Sequence, residues 1–213
     1  MRKVFRFFIP LFVFSFTVAA LVAEGRAQVL INEILADPAR DWDGDEEINF
    51  RDDEWVEIIN LGEAVVDLSG YRLADGEGEP VWRYGFSGVL GQGEVRVVYG
   101  SESKAWEESN GFPIYGLSLN NSGDRLSLYH ISGSETLMVD AFTYTDLAAD
   151  DDRSVGRSAE YPDIWAIFDA FKPCSAKCVP PGNGCIPTPG QPNACMTASM
   201  SKSWGKIKEM YRD

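Results

Sequence analysis

The sequence of 213 residues has few groups suited to catalysis. It contains one histidine, His130, and its four cysteines all follow residue 173. It also lacks the G-x-S-x-G motif that presents the nucleophile of many serine hydrolases. A nucleophile paired with a general base is therefore not expected. Carboxylates are so numerous that no catalytic pair stands out. We expect the chain not to be an enzyme, and a calcium-dependent secreted hydrolase is the least favoured alternative.

Positive charge is scarce as well. The chain has 19 lysines and arginines against 33 acidic residues, a formal net charge of −14. Loss of residues 1–27, which hold four cations and one anion, would take this charge to −17. Such a balance opposes binding to nucleic acids and anionic lipids and favours solubility and cation binding. We therefore expect no nucleic-acid partner.

Long apolar runs are absent beyond the N-terminal region. Three basic residues among the first six precede an almost wholly apolar segment, residues 7–23, which is typical of an export signal. Cleavage is predicted after Ala27, with Ala23 as the second choice. An uncleaved membrane anchor is the alternative, although the run is barely long enough to span a bilayer. We predict a secreted, periplasmic or cell-surface protein with no membrane span after signal removal.

The rest of the chain shows an all-β pattern. Short apolar runs recur about every ten residues between segments rich in glycine, asparagine and aspartate. Within the runs the side chains alternate, so that Val95, Val97 and Tyr99 share one face. Strands are predicted at residues 29–35, 55–60, 71–74, 81–84, 94–99, 125–131 and 137–144, and an irregular loop at 106–115. Two packed antiparallel sheets account for this pattern.

An acidic segment between the first two predicted strands carries the strongest chemical signal. Residues 41–54 contain eight carboxylates and one cation, Arg51. Their spacing follows the order of a calcium loop, which uses positions 1, 3, 5, 7, 9 and 12. The predicted ligands are Asp41, Asp43, Asp45, Glu47, Asn49 and Asp52. Asp53 or Glu54 could replace Asp52, and a solvated acidic turn is the alternative to a metal site. Oxygen ligands without histidine or cysteine favour calcium over zinc or copper.

The loop resembles that of dockerin modules, which carry glycine at position 4 and aspartate at position 12, here Gly44 and Asp52. It departs from them at position 6, where Glu46 replaces a glycine. A left-handed turn at that position tolerates a side chain poorly. A second acidic run at residues 146–152 offers Asp150, Asp151 and Asp152 as a weaker cation site, and a solvated loop is the default there.

Four segments together resemble the bacterial lamin-tail domains. They are VLINEI at 29–34, DEWVEIIN at 53–60, DLSGYRL at 67–73 and LNNSGDRLSLY at 119–129. The resemblance covers about residues 28–158 and implies an immunoglobulin-like β-sandwich, often with an acidic insertion between its first two strands. It also implies a binding or structural module of exported proteins. Asn32, Glu33 and Glu57 are polar residues inside strands, and they either bond to neighbouring backbone or add oxygens to the metal.

The C-terminal region has a different composition. The segment from 172 to 195 is rich in proline and holds Cys174, Cys178, Cys185 and Cys195. In an exported chain an even cysteine count predicts two disulfides, of undetermined pairing, and zinc is the alternative. Residues 201–213 predict a short amphipathic helix that docks on its own domain or on a partner. We thus divide the chain into a signal peptide (1–27), a β-sandwich domain (28–160), an aromatic and then Pro/Cys-rich extension (161–200) and a C-terminal helix (201–213).

These features predict an exported, non-catalytic binding or structural module with a calcium-stabilised loop. Its expected partner is a protein or another component of the cell envelope. The alternative is a carbohydrate-binding accessory domain, in which aromatic residues on one face would contact a glycan. The candidates are Trp82, Tyr84, Trp106 and Tyr115.

Overall fold

The computed structural model describes residues 29–76, 79–146 and 148–195. The predicted signal peptide and the predicted C-terminal helix lie outside the described residues. Within the described residues the chain forms eleven strands and one helix. In chain order these are β1 (Val29–Leu35), β2 (Trp55–Asn60), β3 (Val66–Asp67), β4 (Tyr71–Asp75), β5 (Val81–Gly85), β6 (Val89–Leu90), β7 (Val95–Tyr99), α1 (Gly100–Asn110), β8 (Gly123–Ser132), β9 (Glu135–Thr145), β10 (Ser154–Arg157) and β11 (Trp165–Phe168).

The strands form two main sheets. The first has five strands in the order β11-β10-β1-β2-β7, the second has four in the order β5-β4-β8-β9, and β3 pairs with β6. Every pairing between these strands is antiparallel. The two sheets pack face to face around a core to which both contribute, with Ile31 and Ile58 from the first and Leu73 and Leu128 from the second. The predicted antiparallel, immunoglobulin-like β-sandwich is confirmed.

A β-bulge in β1 sets which residues face the core. Ile31 pairs with Ile58 and Glu33 with Glu57, so Asn32 is an extra residue without an opposite partner. The bulge lets Ile31 and Ile34 face the core although three positions separate them. Glu33 and Glu57 consequently point to the outer face of the five-stranded sheet.

The seven predicted strands agree with the structure to within two residues at each end, whereas the predicted irregular loop is wrong in its first half. Helix α1 spans Gly100–Asn110. The carboxylate of Glu102 accepts a hydrogen bond from the backbone N–H of Tyr99 at 3.1 Å, which caps the helix start. Gly111 adopts a left-handed conformation, φ 74°, that ends it. In the part of the chain that the structure describes, no helix is long and apolar enough to cross a membrane.

The five-stranded sheet continues past residue 160, because β11 pairs with β10. Beyond β11 the extension folds back on the sheet: Ile167 donates its backbone N–H to the carbonyl of Pro181 at 3.0 Å and accepts from Asn183 at 2.9 Å. The two predicted disulfides are confirmed, and they join Cys174 to Cys178 and Cys185 to Cys195. A zinc site at these cysteines is thereby excluded.

Candidate metal site

Three aspartates converge in the loop between β1 and β2. One carboxylate oxygen from each of Asp41, Asp43 and Asp45 lies within 4.8 Å of the others. Asp41 and Asp45 are exposed and Asp43 is partly buried, so the cluster opens to solvent. Three hard oxygen donors at this separation are the kind of ligand that calcium prefers. The alternating positions of the sequence thus meet in one cluster.

Backbone N–H groups hold these carboxylates in place. Asp41 accepts hydrogen bonds from the N–H of Gly44 at 2.7 Å and of Glu46 at 3.0 Å. Asp43 accepts from the N–H of Asp45 at 3.2 Å, and Asp45 from that of Glu47 at 2.8 Å. Each carboxylate has about four acceptor positions, so these bonds leave lone pairs for a cation. The loop backbone therefore orients the aspartates without saturating them.

Glu46 stands at position 6 of the loop, where a side chain was expected to be unfavourable. It has a φ of +73°, in the left-handed region that most residues avoid. The bond from its N–H to Asp41 requires the chain to turn there. The chain thus makes a left-handed turn at Glu46 without a glycine, at the conformational cost of a side chain in that region.

Two of the remaining predicted ligands are engaged elsewhere. Oδ1 of Asp52 lies 2.5 Å from Nζ of Lys104 in α1, and Oδ1 of Asn49 accepts from the backbone N–H of Arg51 at 3.1 Å. The carboxylates of Glu47 and Asp52 do not belong to the convergent group of Asp41, Asp43 and Asp45. The structure thus brings together three of the six predicted ligands through their side chains, and Glu47 remains available through its carbonyl.

The two alternative closing ligands have structural partners. Asp53 is fully buried and accepts from the backbone N–H groups of Trp42, Asp43 and Asn49. Glu54 is also buried and accepts from the N–H of Leu119 at 3.2 Å. Burial raises the pKa of Glu54 to about 8. These hydrogen bonds anchor the loop to the domain.

The aspartates of the second acidic run pair with basic side chains of the protein. The group that converges there is Asp37, Asp150 and Asp151. Nζ of Lys172 lies 2.6 Å from Asp150 and 2.7 Å from Asp151. Asp152, the third predicted ligand, instead pairs with Arg40 and accepts from the indole N–H of Trp42. Each of the three predicted ligands of this weaker site thus has a lysine or arginine partner.

The predicted glycan-binding aromatics fall into two groups. Trp106 stacks on Phe112 with ring centroids 5.2 Å apart, and the ring of Tyr84 lies 6.2 Å away. These rings pack on one another. Trp82 and Tyr115, together with Phe112, instead line a shallow groove of about 240 Å³. Of the four predicted aromatics, Trp82 and Tyr115 therefore share a groove.

The polar strand residues belong to a different part of the molecule. Asn32, Glu33 and Glu57 hydrogen-bond to the C-terminal extension through Thr188, Gly190 and Asn193. These contacts could not be predicted from the pattern of residues, since the partners are more than 130 positions apart. The three residues therefore add no oxygens to the acidic loop.

The fold and the site together define a small, antiparallel β-sandwich module of the immunoglobulin-like type. Among known families, the model of the Lamin Tail Domain matches residues 23–146, more than half of the chain. The chain belongs to the lamin tail domain family. No curated protein and no solved structure matches it. The family is one of non-enzymatic, immunoglobulin-like domains.

Proposed function

We propose that this lamin tail domain protein is an exported, non-catalytic binding or structural module whose acidic loop binds calcium. The observation that carries the calcium site is the convergence of Asp41, Asp43 and Asp45. Among the described residues, none of these three forms an ion pair with a lysine or arginine. Solvent or a bound cation must therefore reduce the repulsion among these three carboxylates.

The energetics favour a divalent ion. Two like charges about 4 Å apart repel by roughly 1 kcal/mol in water and by about 4 kcal/mol at an intermediate dielectric. The carboxylates of Asp41, Asp43 and Asp45 would ligate the ion, and the carbonyl of Glu47 and water would complete its shell. Magnesium fits less well, because it demands a small, regular octahedral shell. The ion would hold the loop in shape and would not take part in a reaction.

The test is titration calorimetry with calcium, alongside thermal unfolding in calcium and in chelator. A dissociation constant near those of extracellular modules, ~10⁻⁴ to 10⁻³ M, is expected. Free calcium at a hundred times the dissociation constant would then stabilise the fold by ~2.7 kcal/mol. Trp42, which lies between two of the ligands, provides a fluorescence readout.

Asp43→Ala and Asp45→Ala should remove most of the calcium heat and of the thermal shift. Asp163→Ala, which removes an exposed carboxylate outside the loop, is the matched control and should leave both unchanged. Absence of calcium heat up to about 10 mM, together with a melting curve that chelator does not move, would show that the segment is only a solvated acidic turn.

Export is supported by two features of the chain. The first 27 residues have the composition of a signal peptide, and the two disulfides suit an oxidising compartment. An exported module of this kind would meet its partner in the cell envelope. Fractionation should recover a mature protein that begins at Gln28 outside the cytoplasm. A full-length protein retained in the cytoplasm would contradict export.

A second candidate function is carbohydrate binding in the groove of Trp82, Phe112 and Tyr115. Tyr115 is 53% exposed, so its ring can stack on a sugar. Tyr115→Ala should weaken binding on a glycan array at least tenfold without lowering the melting temperature. Trp106→Ala is a poor probe, because that ring is packed between neighbours. If the native protein binds no glycan, this candidate is eliminated.

A further inference from the structure

Two glutamates face each other in a buried position outside the acidic loop. Glu33 and Glu57 are register partners on β1 and β2, and neither side chain has exposed surface. They lie on the outer face of the five-stranded sheet, opposite the sandwich core. Burial of two neighbouring carboxyl groups is costly unless they are neutralised or well hydrogen-bonded.

Their cover is the C-terminal loop, defined here as residues 186–194. Glu33 accepts from the backbone N–H of Thr188 at 3.1 Å and from its hydroxyl at 2.8 Å. Glu57 accepts from the backbone N–H of Gly190 at 2.7 Å. Asn193 donates to the carbonyls of Asn32 at 3.2 Å and Arg157 at 2.8 Å. The Cys185–Cys195 disulfide joins the two ends of this loop.

The surroundings provide no counter-ion for the pair. The C-terminal loop contains no charged residue. Arg157 on β10 directs its guanidinium to the carbonyls of Ile31 and Pro162 and to Asp140. From β7 the titratable neighbour is Tyr99, whose own pKa is raised mainly by burial. No cation of the described residues forms an ion pair with either glutamate.

The hydrogen-bond partners suit a protonated Glu33. It bonds to the hydroxyls of Ser154 and Thr188, and a hydroxyl can accept a proton as well as donate one. Burial raises the pKa of Glu33 to about 7 and that of Glu57 to about 8, and for Glu57 the nearby Glu33 adds to the effect. The buried pair therefore retains a proton at pH values where an exposed glutamate is ionised.

We propose that the C-terminal loop is a pH-sensitive latch: it closes over the Glu33–Glu57 pair while the pair holds a proton and is released as both carboxyls ionise. The disulfide keeps the released loop close, so that the latch can close again. Release would uncover the outer face of β1 and β2 together with Asn32.

The direction of the pH effect follows from the two states. In the open state the carboxyls meet water and titrate near 4.5, whereas in the closed state they titrate near 7 and 8. The closed state is therefore most favoured below about pH 4.5 and loses its advantage as the pH rises to about 8. Above that value the balance no longer changes, because both states are fully ionised.

Hydrogen exchange of the backbone amides of Thr188 and Gly190 tests the latch in the full chain, because these amides bond directly to the glutamates. Their protection factors should fall at least tenfold, an order-of-magnitude expectation, between pH 5 and pH 8. The amides of Leu73 and Leu128 in the other sheet report global unfolding, and they should stay better protected than the loop amides at both pH values, which separates loop opening from unfolding. Equal protection of Thr188 and Gly190 at the two pH values would overturn the proposal.

Glu33→Gln mimics the protonated carboxyl and should keep the loop protected at pH 8, whereas the exposed Glu63→Gln should behave like the native chain. Cys185→Ser/Cys195→Ser should lower protection of the loop at every pH, and Cys174→Ser/Cys178→Ser should not. A Glu33→Gln variant with the native pH dependence would refute the role of the pair. If that variant does not fold, the pH series of the native chain decides.

Discussion

The buried carboxylate of Asp53 accepts a hydrogen bond from the backbone N–H of Trp42 at 2.5 Å, across the acidic loop. The same carboxylate also accepts from Asp43 at 3.1 Å and from Asn49 at 2.7 Å. Trp42 in turn packs on Trp55 of β2, with ring centroids 6.0 Å apart. Contacts with the domain thus determine the shape of the loop on its buried side. The three convergent aspartates can therefore face solvent.

Asp53→Ala should therefore cost more than the loss of any other carboxylate in the loop. It would leave three backbone N–H groups without their acceptor, and hydrogen bonds to charged groups contribute about 1.5–3 kcal/mol each. We expect a loss of at least about 4 kcal/mol in the free energy of unfolding by urea. Asp52→Ala removes only the partly exposed pair with Lys104 and should cost less than about 1 kcal/mol. Equal losses for the two variants would show that Asp53 is not the anchor.

Glu46→Gly should stabilise the loop, because Glu46 has a φ of +73° that glycine adopts without steric cost. The expected gain is at most about 1 kcal/mol, the cost of a left-handed residue, partly offset by the flexibility of glycine in the unfolded chain. Glu46→Ala keeps the left-handed turn and should bring no such gain. Thermal unfolding in calcium and in chelator separates an effect on the fold from one on the ion. A lower melting temperature for Glu46→Gly than for Glu46→Ala would contradict this reasoning.

Alternation along the strands made most of the sandwich predictable. Val56 and Ile58 alternate with Trp55 and Glu57, which defines two faces of β2. Helix α1 escaped prediction because it lacks an apolar stripe: its buried residues are Gly100, Ser103 and Glu107. Polar contacts bury this helix, with Ser103 bonded to the carbonyl of Arg83 and Glu107 paired with the Arg83 guanidinium. Hydrophobic periodicity cannot detect such a helix.

The candidate site was predictable only as far as its contacts are local. Asp41, Asp43 and Asp45 converge because each carboxylate bonds to backbone a few residues ahead. The contact of Asp52 with Lys104 could not be predicted, because Lys104 comes from α1. The hydrogen bond from Thr188 to Glu33 could not be predicted either, because it forms only when the C-terminal extension packs against the sheet.

The stability of the chain should decrease between pH 5.5 and pH 8.5. Burial raises the pKa of Glu54 to about 8, so this carboxyl resists ionisation in the folded state and ionises near 4.5 when unfolded. Its contribution to stability is complete below about pH 4.5 and is lost as the pH rises through about 8. Each pKa unit corresponds to about 1.4 kcal/mol, so the loss from Glu54 over this range is up to about 3 kcal/mol.

Urea unfolding at the two pH values, with chelator present, measures this loss. Glu54→Gln should reduce the difference between the two pH values, whereas the exposed Glu63→Gln should not. The remaining difference belongs to Glu33 and Glu57, whose pKa values are shifted in the same direction. Stability that is unchanged, or that rises, between pH 5.5 and pH 8.5 would refute this account of Glu54.

Gly156→Ala should disturb the packing of the C-terminal loop against β1 and β10. Gly156 pairs with Glu33 across β10 and β1, and a Cβ at this position would lie 2.7 Å from Nδ2 of Asn193 and 2.9 Å from Cγ of Glu33. Both neighbours are buried, so they cannot move aside freely. Asn193 would have to leave its bonds to Asn32 and Arg157. Overpacking of this kind typically costs about 1–3 kcal/mol.

The expected result is loss of amide protection at Thr188 and Gly190 at pH 5, with the core strands still protected. Gln191→Ala is the matched control in the same loop. Its side chain is exposed and bonds only to the neighbouring carbonyl of Gly190, so stability should stay within about 0.5 kcal/mol. If Gly156→Ala instead unfolds the whole domain, the loop and the sandwich form one cooperative unit. Native protection of the loop in Gly156→Ala would mean that close packing at Gly156 does not hold it in place.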